Sequence, residues 1–287
     1  CGIGRALVTR VVVVGGGIMG AGIAHVARVA GFPVTLVDAT PELLEAAAAR
    51  VAHYEERARG RGDQLEGLGS LDLTTDLTTA ATDAVVAVEA VSEDLELKRS
   101  IFAALGRAVG DHTVLASNTS GLPIQVLGAA SGRPGQVVGT HFFNPVPAMR
   151  LVEVVRSVET TQATLTRALE FCRALGKETV EIRDLPGFVT TRLGTLLMCE
   201  AIRAYEQGVA SAEHLDTAMK LGYNHPMGPL ELADRVGLDT LLAILDDMRV
   251  AYGDAFRAPP LLRQMVAAGQ LGRKSGRGFY EHAAPPS

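Results

Sequence analysis

Short apolar runs alternate with longer stretches in which apolar residues recur at helical spacing. The runs Val11–Val14, Val34–Val37, Ala84–Ala90, Thr113–Ala116, Val137–Thr140, Val152–Val155 and Thr179–Ile182 read as strands. Met19–Ala30, Pro41–Arg57, Leu97–Val109, Pro123–Ala130 and Ala163–Leu175 read as helices, the last stopped by Gly176. Strand and helix in alternation predict an α/β architecture with a mostly parallel, doubly wound sheet. Arg57–Thr82 is a polar stretch, with a polar loop expected after the arginine-bearing Tyr54–Asp63 segment.

The pattern changes after Asp184-Leu-Pro-Gly. Phe188–Gln207 is a long apolar-periodic helix, and Ser211 caps Ala212–Leu221. Pro229–Val236, Asp239–Tyr252 and Pro260–Ala268 follow as helices, with no strand expected until Gly278-Phe-Tyr. Two domains are predicted: 1–185, carrying the sheet, and 186–287, all helical. Leucine, methionine and alanine around the helices of the second suggest burial against a partner, and a homodimer is expected.

The first strand feeds the first helix through Gly15-Gly-Gly-Ile-Met-Gly. Gly15, Gly17 and Gly20 occupy the G-x-G-x-x-G positions, with Ile18 and Met19 between the second and third. The first glycine permits a tight turn, the second lets backbone approach a pyrophosphate, and the third lets helix pack on strand. The free amides and dipole of the helix start favour that anion. Asp38 ends the second strand about twenty residues on, where a carboxylate accepts from adenosine ribose hydroxyls and repels a 2′-phosphate. The prediction is a Rossmann-type domain that binds NAD, not NADP.

Composition narrows the class. With 47% hydrophobic and 21% charged residues the chain is expected to be globular, and a formal net charge of −5 gives no field for nucleic acid. No apolar run reaches membrane-spanning length, and no secretory signal precedes the first strand. The chain opens on Cys1 without a methionine, and its first few residues read as a remnant. Cys172 and Cys199 fall in apolar helical patterns as small core residues, which suits a reducing cytoplasm. No Cys/His spacing indicates a metal site.

The chemistry sits in Gly139-Thr-His-Phe-Phe-Asn-Pro-Val-Pro-Ala-Met-Arg-Leu-Val-Glu-Val-Val. His141 ends one apolar run, Pro145 and Pro147 break the chain, and Glu153 lies in the next run. A strand, a turn and a returning strand can bring Glu153 beside His141. A carboxylate on one ring nitrogen fixes the tautomer and makes the other nitrogen a directed base.

Together, V-V-G-G-G-I-M-G-A-G-I-A, A-S-N-T-S-G, G-T-H-F-F-N-P-V-P-A-M-R-L-V-E-V-V, L-P-G-F-V-T-T-R, A-M-K-L-G-Y-N-H-P-M-G-P-L-E-L-A-D and G-R-K-S-G-R-G-F-Y make a chain that resembles the L-3-hydroxyacyl-CoA dehydrogenases, close to the bacterial 3-hydroxybutyryl-CoA dehydrogenases, over essentially its whole length. The resemblance implies an NAD-binding domain, a helical dimerisation domain and an active site in the cleft between them. By position it makes His141 the catalytic base, Glu153 its partner, and Ser120 the serine that binds the reacting oxygen. Asn144 lines the nicotinamide and substrate site, and Glu93, Lys98 and Lys274 are cofactor contacts. Without the family, Glu93 and Lys98 read as a solvated helix start, Lys274 as a surface charge, and Ser120 as a turn cap.

Two positions depart from the family pattern. Thr191 stands where the P-G-F-x-x-N-R block has asparagine, so a hydroxyl replaces an amide that donates and accepts at once. The arm after the second strand, Tyr54-Glu-Glu-Arg-Ala-Arg-Gly-Arg-Gly-Asp, is short and arginine-bearing where relatives are lysine-rich and grip coenzyme A. The expected activity is NAD-dependent interconversion of a short-chain 3-hydroxyacyl thioester, such as 3-hydroxybutyryl-CoA, and its 3-oxo form. One alternative is a hydroxyacyl group, for example glyceryl, held on an acyl carrier protein in polyketide biosynthesis. Others are a free hydroxy acid or sugar acid as substrate, and a crystallin-like cofactor-binding structural protein.

Overall fold

The computed structural model describes residues 10–63 and 65–283; Cys1 and the other leading residues lie outside them. One compact unit ends at Phe188 and a second begins at Val189.

In the first unit, β1 (Arg10–Val14) leads through the glycine turn into α1 (Ile18–Val29). β2 (Val34–Val37), α2 (Pro41–Gly60), β3 (Leu71–Thr74), α3 (Leu77–Ala81) and β4 (Ala84–Glu89) follow. Then come α4 (Leu95–Ala108), β5 (Val114–Ser117), α5 (Ile124–Ser131), β6 (Val137–Phe142), β7 (Leu151–Arg156), α6 (Gln162–Ala174) and β8 (Glu178–Arg183). The strands form one sheet in the order β3-β2-β1-β4-β5-β6-β7-β8. Neighbours are parallel except β6 with β7. Central strands have both faces covered, so they are rich in valine and alanine, with a few buried polar residues such as Glu89, Ser117 and His141 among them. One face packs α1, α2 and α6 through Ile23, Leu44, Val51 and Phe171; the other packs α4 and α5 through Phe102, Leu105, Ile124 and Leu127.

The polar Arg57–Thr82 stretch holds more than the expected loop. α2 runs on to Gly60, and the tract holds β3 and α3. Leu71-Asp-Leu-Thr is an edge strand too short and too exposed to leave an apolar signature, and its ladder with β2 supplies what its side chains do not. α3 is a single capped turn, with Thr79 N–H donating to Asp76 Oδ1 at 3.0 Å.

The second unit contains α7 (Thr190–Glu206), α8 (Ala212–Gly222), α9 (Pro229–Val236), α10 (Leu238–Tyr252) and α11 (Pro260–Ala267). Its core is built on Met198, Ile202, Leu230, Leu238, Leu241, Leu245 and Leu262. Where Gly278-Phe-Tyr was expected as a strand, only isolated bridges form, Gly272 with Arg277 and Arg277 with Glu281. The segment bends back on itself around Asp234, which accepts from Phe279 N–H at 3.0 Å, Tyr280 N–H at 3.0 Å and His282 Nε2 at 2.8 Å. No helix among the described residues is long and apolar enough to cross a membrane.

Candidate active site

The glycine turn fits a dinucleotide. Gly15 has φ +97°, and its N–H donates to Val37 O at 2.8 Å, closing the turn between β1 and β2. A Cβ on Gly20 would lie 1.8 Å from Gly15 O, so α1 starts this close to the strand only without a side chain there. A Cβ on Gly17 would meet nothing within 4 Å, which leaves open space beside the start of α1. Gly17 caps that helix with no side-chain bond, so the amides of Ile18 and Met19 face the opening without a capping oxygen. Asp38, at the end of β2, braces the loop: Oδ2 accepts from Gly16 N–H at 2.7 Å and Oδ1 from Ala39 N–H at 2.7 Å.

The strand-turn-strand expected around His141 is present. β6 and β7 pair antiparallel with His141 directly opposite Glu153. His141 Nδ1 lies 2.8 Å from Glu153 Oε2; the histidine is 7% exposed and the glutamate fully buried. A carboxylate accepts, so Nδ1 carries the proton and Nε2 presents its lone pair. Phe143 and Phe188 flank the imidazole, with ring centroids 4.5 and 5.9 Å away. Between the strands the chain turns through a cis Asn144–Pro145 bond, with Asn144 exposed. Lys177 holds this turn, Nζ donating to Val146 O at 2.6 Å and Met149 O at 2.8 Å. Burial lowers the ammonium's pKa.

Ser120 follows β5 on an exposed loop that is fastened on two sides. Asn118 Oδ1 accepts from Phe142 N–H at 3.0 Å, tying the loop to β6 next to His141. Glu93 Oε1 accepts from Ser120 N–H at 2.8 Å and from Thr119 Oγ1 at 2.5 Å. Lys98 is not at a solvated helix start. It is 1% exposed, and its Nζ lies 2.6 Å from Glu89 Oε1 and 3.3 Å from Glu93 Oε2. Sequence reasoning missed Glu89; the available signal was one charge inside the apolar run Ala84–Ala90.

Two predicted residues belong to the second unit. Lys274 donates to Asp239 Oδ1 at 2.7 Å, Asp239 Oδ2 at 3.0 Å and Thr240 Oγ1 at 2.9 Å, at the start of α10. Thr191 lies half-buried in the first turn of α7. Among the described residues no group of three or more His, Cys, Asp or Glu side chains is arranged to hold a metal.

Residues 10–185 match the NAD binding domain of 3-hydroxyacyl-CoA dehydrogenase, and residues 187–282 match that enzyme's C-terminal domain. The chain belongs to the 3-hydroxyacyl-CoA dehydrogenase family. Within it, the chain is 46% identical to 3-hydroxybutyryl-CoA dehydrogenase of Mycobacterium tuberculosis, covering 96% of this chain and 99% of that one. It is 41% identical to the human mitochondrial hydroxyacyl-coenzyme A dehydrogenase over 97% of this chain and 92% of that one. The crystal structure of (S)-3-hydroxybutyryl-CoA dehydrogenase from Ralstonia eutropha superposes with a TM-score of 0.91 at 37% identity, covering 96% and 99% of the two chains. The eight-stranded mostly parallel sheet of this chain thus falls in the stretch that matches the family's NAD binding domain, and its helical unit in the stretch that matches the C-terminal domain.

Proposed function

We propose that the protein is an NAD-dependent dehydrogenase that interconverts a 3-hydroxyacyl-CoA and the corresponding 3-oxoacyl-CoA. The observation that carries this reading is the buried His141–Glu153 pair, held at 2.8 Å in the same sheet whose first turn is open at Gly17. NAD, when bound, supplies the hydride acceptor at its nicotinamide. His141 takes the proton from the substrate hydroxyl at Nε2, and Glu153 holds the ring in register and stabilises the imidazolium. The Ser120 hydroxyl donates to the oxygen that changes from alcohol to ketone. Gly15, Gly17, Gly20, Ile18 and Met19 form the pyrophosphate cradle, and Asp38 selects NAD over NADP. Glu93, Lys98 and Asn144 shape the nicotinamide side. By resemblance, Lys274 is assigned to the cofactor and Thr191 to the substrate.

The substrate class follows from the relatives, which carry hydroxyacyl-CoA and 3-hydroxybutyryl-CoA in their names. A short acyl chain on coenzyme A is therefore favoured over a carrier-protein ester. Burial raises the thiols of Cys172 and Cys199, which keeps them protonated and suits a reducing cytoplasm. A homodimer through the helical unit is part of this reading, supported by the exposed apolar side chains of Leu193, Val209, Leu221 and Tyr223. The deciding assay is NADH oxidation with acetoacetyl-CoA. Turnover is expected, with NADPH used at least about tenfold less well. No turnover, or equal use of NADPH, overturns the assignment.

A further inference from the structure

Beneath the Ser120 loop lies a buried charge network. Glu89, at the end of β4, is fully buried, and its register partners are Val14 of β1 and Ser117 of β5. It therefore sits where the strand order reverses, at the crevice of a doubly wound sheet. Both its oxygens are engaged: Oε1 with Lys98 Nζ at 2.6 Å and Val91 N–H at 2.8 Å, Oε2 with Ser117 Oγ at 2.6 Å. The Lys98 ammonium has three protons and three acceptors here, Glu89 Oε1, Glu93 Oε2 at 3.3 Å and Val91 O at 3.4 Å. Its charge links Glu89, the nearer partner, to Glu93.

Two routes then run from Glu89 to the same loop. One passes through Lys98 to Glu93, which accepts from Ser120 N–H and Thr119 Oγ1. The other passes through Ser117 Oγ, which accepts from Thr119 N–H at 3.3 Å. Burying a carboxylate and an ammonium costs desolvation that apolar residues of the same size would avoid, so stability alone does not account for the pair. We propose that Glu89 is a positioning residue for the hydroxyacyl chemistry, fixing the Ser117–Ser120 loop so that the serine hydroxyl meets the reacting oxygen. This rests on the role given to Ser120 above.

Glu89→Gln alone leaves the Lys98 charge without its main partner and is a poor probe, because the protein is expected to unfold readily. Two other variants test the idea. The double variant Glu89→Gln/Lys98→Met removes both charges at similar volume. Glu89→Asp keeps the charge and withdraws the carboxylate by one methylene. In the cofactor-free protein, amides of residues 117–122 should exchange about tenfold faster in either variant, because the loop has lost its fastening. With acetoacetyl-CoA, kcat should fall about 10- to 100-fold, the cost of a misplaced catalytic group, while KM stays within about threefold. A folded variant of either kind with wild-type loop exchange and wild-type kcat overturns the proposal. Should the unaltered protein fail to turn over acetoacetyl-CoA, the functional reading falls, and the exchange measurement still decides whether Glu89 places the loop.

Discussion

The His141–Glu153 pair acts as one unit, and its variants should behave so. His141→Gln is expected to lower kcat by at least about 10²-fold, the usual loss for a positioned general base, with NADH affinity near normal. Glu153→Gln should cost about tenfold or more, and the double variant little beyond His141→Gln alone, because the glutamate acts through the ring. Steady-state kinetics of the three variants check this; additive losses would mean that Glu153 has a separate task. Thr191 is the other residue to test. A hydroxyl meets fewer polar neighbours than the amide that the resemblance implies at this half-buried position, and leaving a polar group unmet where substrate covers it costs roughly 1–3 kcal/mol. Thr191→Asn should therefore raise kcat/KM on 3-hydroxybutyryl-CoA by about ten- to a hundredfold. No change would make Thr191 a neutral replacement.

At the scale of elements, the exposed edge strand β8 was legible only from its short, mostly β-branched run Thr179–Ile182. Most strands that could be read in advance are buried on both faces, because burial makes a strand continuously apolar. β1, β2, β4, β5 and β6 are of this kind, and the His141–Glu153 register followed from the proline-broken hairpin. β3 escaped because its pattern is half polar and its place depends on the β2 ladder. The network under Ser120 escaped for a related reason: the β4–β5 register brings Ser117 to Glu89, and the packing of α4 on the sheet brings Lys98 to it, neither of which shows as a spacing in sequence. α1 carries a further surprise in His25, which is 3% exposed with no hydrogen-bond partner for Nδ1. Burial, then the nearby charges of Arg28 and Arg61, push its pKa down to about 4. The unfolded chain binds a proton near the ordinary value of 6.5, and the native protein does not until about 4. Stability from keeping this ring neutral is whole above pH 6.5 and drains away as pH falls toward 4. His25→Gln should flatten that part of the profile, measured as urea midpoints across the window; an unchanged slope would show that His25 titrates normally.

For the molecule as a whole, each unit has its own core, and the helical one is closed by a carboxylate. Asp234 is fully buried, and a Cβ on Gly278 would lie 2.1 Å from its Oδ1. The block G-R-K-S-G-R-G-F-Y could be recognised in the sequence, yet the purpose of its glycines could not, since it depends on a partner more than thirty residues earlier (Gly272 and Gly278 both press on Asp234). Asp234→Ala leaves the amides of Phe279 and Tyr280 without their acceptor and should cost about 2–4 kcal/mol. Faster hydrogen exchange should be confined to residues 189–283. A uniform loss of protection through residues 10–188 would contradict two separately built cores.

The glycine turn separates two kinds of defect. Alanine at Gly20 must displace the backbone oxygen of Gly15, and should cost the fold about 1–3 kcal/mol. Alanine at Gly17 enters open space on an extended backbone, and should leave thermal stability unchanged while weakening NADH binding about tenfold or more. A cell carrying the first change would be short of the protein. A cell carrying the second would hold a normal amount of it, correctly folded and idle, and a measurement of abundance would find nothing wrong.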